Sequence, residues 1–185
     1  YSEEWFEEAA IRVLSNLKNS VEALPAFISE KSIEVFTKHN VFTEKEIHSR
    51  YEILLENYCK TLRIEALTMI SLVKRDIIPA CISYQNELAQ LLGMKKSLGG
   101  YKSILEEELL EKISGLSSEL VVKLTKLEQA VEDAKAVSEL LELAKHYRDN
   151  VLGAMNELRA IVDELETLVA AKYWPLPTYA EMFVV

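Results

Sequence analysis

From Glu44 to Leu98 the chain has no glycine before Gly93 and a single proline, Pro79. A stretch this poor in helix breakers predicts one helix of about 55 residues, some 80 Å long at 1.5 Å per residue. Its start is marked by Thr43-Glu44-Lys45-Glu46, a capping box in which hydroxyl and carboxylate each satisfy a free amide. Pro79 removes one backbone hydrogen bond and is expected to bend the helix. The apolar series Ile77, Cys81, Tyr84, Leu88, Leu91 continues past it, so a kink is predicted rather than a stop. Tyr51, Tyr58 and Tyr84 are spaced to suit its inward face.

Five glycines and four prolines in 185 residues are too few turn signals for a sandwich or barrel. The fold class is therefore all-α: an elongated helical bundle with a coiled-coil-like hairpin. The long helix (about 44–98) is packed by two helices, about 103–133 and 137–171, with Gly99-Gly100 as the hairpin turn. Leu109, Ile113, Leu116, Leu120, Leu124, Leu127 and Val131 form one seam at spacings of three and four. A second runs Val137, Leu140, Ala144, Tyr147, Val151, Ala154, Leu158, Ile161, Leu165, Leu168. The two are out of phase, which predicts a turn near Asp133 to Ala136 or one locally distorted helix.

Ahead of the long helix, Ser2 is read as the cap of a first helix with acids in its first turns. Val21 to Pro25 is read as a short turn ending at the proline. A second helix spans Ser29 to Lys38, with Ile33 and Phe36 inward and Asn40 as a left-handed stop. The domain reading is 1–42 short helices, 43–171 bundle and 172–185 tail. Past Ala171, Tyr173-Trp174-Pro175-Leu176-Pro177 cannot continue a helix. That extended tail is unusually apolar for a chain end and is expected to dock.

A net charge of −9 argues against nucleic acid and anionic membranes as partners, since both require clustered Lys and Arg. Two cysteines in apolar helical surroundings, no run of about 18 apolar residues and no signal-peptide pattern point to the cytoplasm. Opening at Tyr1, inside what reads as a helix start, the chain is expected to be cut from a longer polypeptide.

Catalytic chemistry finds no motif: no GxSxG, glycine-rich phosphate loop, CxxC or HExxH. Glu44 with His48, and Glu142 with His146, have the spacing of helical metal ligands, but in an acidic chain they read as surface pairs. His39 sits at a helix end, where an imidazolium favours the dipole. Glu65 is the one acid inside the apolar-wrapped stretch from Leu62 to Val73. Arg63 is on another face, so a partner for Glu65 would come from another helix. No catalytic, cofactor-binding or metal residue is assigned.

Three stretches resemble the type III glutamine synthetases at their C-terminal end. The first is Glu4-Trp5 through Glu8-Ala9, Arg12, Leu14, Asn16 and Ala23-Leu24-Pro25. The second is Arg50-Tyr51-Glu52-Ile53-Leu54-Leu55-Glu56, Lys60-Thr61, Ile64 to Met69, Lys74 and Asp76-Ile77-Ile78-Pro79-Ala80. The third is Tyr147-Arg148-Asp149, Ala154-Met155, Glu157-Leu158-Arg159, Asp163 to Glu166 and Tyr173 to Tyr179. The chain departs from the family pattern at Val13 and Ala180, where glycine is expected.

The resemblance implies an upstream catalytic module in the same polypeptide, joining ammonia to glutamate with ATP and magnesium or manganese, and a homo-oligomer of stacked rings. The bundle would then support subunit or ring assembly. Candidate interface residues are Leu67 and Ile70 in the wrapped stretch, and Trp174, Pro175, Pro177, Tyr179 and Phe183 in the tail. The rival reading is a free-standing helical adaptor holding a partner helix in a groove.

Overall fold

The computed structural model describes residues 3–177 and 179–182. The Ser2 cap and Phe183 lie outside the described residues, and Tyr179 is described by its backbone alone. Among the described residues all regular structure is helical: α1 (Glu3–Ile11), α2 (Ser20–Phe27), α3 (Glu30–Lys38), α4 (44–98), α5 (Ile104–Asp133), α6 (140–168) and a single turn α7 (Tyr179–Met182). The chain divides into two compact units, Tyr1–Lys60 with Glu139–Lys145, and Thr61–Ser138 with His146–Val185.

In the first unit, two helices end in the same backbone device. Asn40 has a φ of 53°, its N–H bonds Thr37 O at 3.1 Å, and the N–H of Val41 bonds Phe36 O at 2.9 Å. That pair of bonds is a Schellman stop, with Asn40 as its left-handed residue. Val13 repeats it at the end of α1, at φ 57°, with N–H bonds from Val13 to Ala10 O and from Leu14 to Ala9 O. Here the left-handed position that favours glycine holds a β-branched residue, 88% exposed. Valine in this left-handed position stores strain in the helix stop. We predict that Val13→Gly relieves about 1 kcal/mol, read as slower amide exchange in Ala9 to Ile11. Unchanged exchange would show that valine is unstrained there.

The segment 21–25 is not a turn but the body of α2. Asn19 caps it by accepting the Glu22 N–H at 3.0 Å, and buried Val21 anchors it. Pro25 falls in its last turn, where its missing N–H forfeits one hydrogen bond in a helix already ending. Phe36 stands between Phe27 and Phe42, each pair of rings 5.6 Å apart, and the Arg50 guanidinium lies 4.4 Å from the Phe42 ring. Ile33 and Phe36 are half-buried, and Ile47 and Leu55 fully buried. The capping box forms as read: the Thr43 N–H and hydroxyl both donate to Glu46 Oε2 at 2.8 Å, and the Glu46 N–H donates to Thr43 Oγ1 at 3.3 Å.

In the second unit the helices run antiparallel. Lys95 pairs with Glu106, Gln85 with Ser117 and Lys74 with Glu128 between α4 and α5. Lys112 pairs with Glu164, and both Lys123 and Lys126 with Glu157, between α5 and α6. Apolar positions close the seams: Ile113, Leu120, Leu124, Leu127 and Val131 on α5, and Tyr147, Val151, Ala154, Leu158, Ile161 and Leu165 on α6, are buried. On α4 the inward series is Ile77, Cys81, Leu88, Leu92. Leu91, expected inward, is exposed.

Pro79 is accommodated by a π-turn over Val73–Ile77, in which the Ile78 N–H reaches back five residues to Val73 O. The widened turn fits a ring that cannot donate to the turn before it, and α4 continues through to Leu98. A second π-turn, Tyr147–Val151, interrupts α6, and no proline announces it.

The phase slip between the two seams is a turn: a 3-10 turn at Ala134–Ala136, then extended Val137. Side chains supply what glycine and proline usually would. Glu139 accepts the N–H groups of Leu141 at 3.0 Å and Glu142 at 2.6 Å at the start of α6. His146 Nε2 donates to the carbonyl of Ala130 in the last turn of α5, at 2.8 Å.

Candidate interaction surface

The α4 stretch from Leu62 to Val73 is apolar on several faces, and the fold covers only one of them. Leu62, Ala66 and Val73 are buried, and Met69 and Ile70 half-buried. Ile64 is 66% exposed and Leu67 47%, and Leu72 is also open. Ile64, Thr68 and Leu72 follow at intervals of four, which places them on one stripe of the helix. They border a groove of about 510 Å³ whose other walls include Met69, Met155, Val162 and Leu176. Its lining is mostly apolar, and a few polar groups sit at its edge: Glu65 from α4, and Arg159 and Asp163 from α6.

Glu65 is therefore exposed at a groove rim, and α6 brings the cation Arg159 to the same rim. Arg159 itself pairs along its own helix with Asp163, Nε to Oδ2 at 3.4 Å. Sequence spacing marked the α4 half of this surface. It missed Met155, Arg159, Val162 and Leu176, because α6 reads from its own period as a closed seam.

The segment after α6 is fixed at its root and open beyond it. Lys172 Nζ donates to Glu87 at 2.7 Å, the Tyr173 hydroxyl donates to the same carboxylate, and the Tyr173 ring lies 5.8 Å from that of Tyr84. Trp174 is half-buried; its indole N–H is shielded from solvent and has no acceptor. Indole N–H groups removed from water ordinarily find one. Pro175 and Pro177 are exposed, and Leu176 turns into the groove. The expected extended tail is correct only in part, since Tyr179–Met182 closes a helical turn.

The residues considered for metal binding are placed otherwise. Glu44 and His48 are exposed. Glu142 pairs with Lys145 at 2.6 Å, while His146 bonds Ala130 O and accepts from the Asn150 amide at 3.0 Å. His39 is the C-terminal cap of α3. Among the described residues, no three of His, Cys, Asp and Glu come together as a metal site, and no polar or charged side chain is buried. No helix there is long and apolar enough to cross a membrane.

The charged groups work at the surface. Glu46, Glu87, Glu106, Glu139 and Glu157 are each held below the usual carboxylate range, in every case by hydrogen bonds to the ionised form. The donors are Thr43 for Glu46, Lys172 for Glu87, Lys95 for Glu106, the Glu142 amide for Glu139 and Lys126 for Glu157. A carboxyl whose folded pKa is depressed contributes stability above its unfolded pKa and loses it as pH falls through the folded one. We therefore predict a urea midpoint that is flat near neutrality and falls below about pH 4.5. A midpoint that rises on acidification would mean that relief of the acidic self-repulsion outweighs these bonds.

Such a fold, a bundle whose described charged side chains stay at the surface while an apolar groove stays open, defines an all-helical domain. The sequence profile of the glutamine synthetase C-terminal domain matches residues 1–96. The chain belongs to that family. It is similar to a glutamine synthetase of Butyrivibrio fibrisolvens, 43% identical over 98% of the chain and 26% of that relative. It is 33% identical to a type-3 glutamine synthetase of Dictyostelium discoideum over 98% of the chain and 25% of the relative. A Bacteroides fragilis glutamine synthetase is 32% identical, at 98% and 26%. The chain spans about a quarter of the length of these relatives.

Proposed function

We propose that this chain is the non-catalytic C-terminal helical domain of a polypeptide that ligates ammonia to glutamate. ATP and magnesium or manganese would serve a catalytic module elsewhere in that polypeptide. Within it, the bundle supports assembly of subunits or rings through the α4 face of Ile64, Leu67 and Leu72 and the adjoining Trp174 to Pro177. The observation that carries this reading is the open groove. The inward positions of α5 and α6 are buried, yet two rows of α4 are left apolar and wet beside a groove that Leu176 helps to wall. Contiguous apolar surface of this kind marks contact sites.

Ile64→Asp with Leu67→Asp, made in the full-length polypeptide, tests it by sedimentation velocity. Both side chains are exposed, so helical content should be unchanged, while association weakens at least tenfold, the effect of losing about 1.4 kcal/mol at a contact centre. A variant that sediments as the parent does would remove the assembly role.

A further inference from the structure

At the other end of the chain, α1 carries apolar surface that nothing in its own unit uses. Trp5, Phe6 and Ile11 on α1, and Val13, Leu14 and Leu17 just past its end, are all exposed, Phe6 at 58% and Ile11 at 77%. Among the described residues α1 makes no extensive packing contact with another helix. Trp5, Phe6, Ala9 and Ala10 nevertheless form a continuous hollow of about 280 Å³ with Leu14, which follows the stop at Val13, and Phe6 and Ala10 lie four apart on one stripe of the helix. Single exposed apolar residues are ordinary, but a contiguous stripe on a short helix is not stable without cover.

We propose that this stripe of α1 docks on the preceding catalytic portion of the same polypeptide. The inference rests on the reading that the chain is the C-terminal part of a synthetase. The relatives are about four times as long as the chain, and the family profile is that of a C-terminal domain, so in them the bulk of the polypeptide leads into α1. Nearness in sequence makes that portion the occupant at highest effective concentration. Glu4 and Glu7 stand exposed on the helix, while Glu8 is paired with Arg12 at 2.6 Å. The receiving surface is then apolar at its centre with Lys or Arg at the rim facing Glu4 and Glu7.

The test places the photo-crosslinker p-benzoyl-phenylalanine at Phe6, and separately at Leu14, in full-length polypeptide assembled from a mixture of light and heavy isotope chains. The expected result is crosslinks to residues that precede Tyr1, within chains of one isotope only, at least tenfold above those from the same group at exposed Lys31. Crosslinks of mixed isotope would assign the stripe to a neighbouring copy and overturn the proposal, as would yields equal to the Lys31 control. Assembly that survives Ile64→Asp with Leu67→Asp would leave this result unaffected, so the two ideas fail separately.

Discussion

Leu158→Ala lowers the unfolding free energy by about 3–4 kcal/mol, the cost of a cavity at a site that cannot collapse. Leu158 has no exposed surface and lies midway along α6, which forms the most extensive helix pair with α5. Two helices held by regular seams cannot close a gap at one position without shifting every other layer, so most of the lost contact stays lost. Leu98 provides the contrast: it is 73% exposed at the hairpin end, and its replacement by alanine changes stability by less than about 0.5 kcal/mol. Urea denaturation of both variants gives the comparison. A loss below about 1 kcal/mol at Leu158 would mean that α6 is packed loosely against its neighbours.

Gly99→Val has the next largest effect, a loss of about 2 kcal/mol. Gly99 follows α4 at φ 72° and ψ 150°, a conformation that side chains essentially exclude, and Gly100 follows at φ 80°. A β-carbon at Gly99 would meet no atom within 4 Å, so the cost is conformational and not steric crowding by neighbours. Gly93 and Gly115 are likewise unobstructed, but neither has positive φ. Alanine at either is predicted to be neutral or stabilising, since glycine inside a helix costs about 1 kcal/mol. If Gly99→Val unfolds at the same urea concentration as the parent, the turn relaxes to another form and the hairpin does not depend on it.

Elements whose cause is local were legible along the chain. The capping box at Thr43, the stop at Asn40 and the glycine pair at 99–100 each rest on the chemistry of one or two residues. The heptad seams were legible too, because a period of three and four places apolar side chains on one face whatever the partner. The turn at Ala134–Ala136 showed itself only as a slip of phase. Its caps come from Glu139 and His146, and the His146 bond to Ala130 spans sixteen residues that periodicity cannot connect. Pro25 misled for a related reason: a proline forbids a helix interior, and only the capped start at Asn19 decides that this one sits near an end. The π-turn at Tyr147–Val151 left no mark in the sequence.

The candidate surface divides in the same way. Sequence alone determined that α4 between Leu62 and Val73 has more apolar faces than one partner helix can cover, since that follows from residue type and helical period. Which face stays open was decided only by the packing around it, in which Met155 and Val162 of α6 and Leu176 wall the groove while Ile64 and Leu67 are left in water. Periodicity fixes directions around a helix axis, whereas exposure depends on what arrives from elsewhere in the chain.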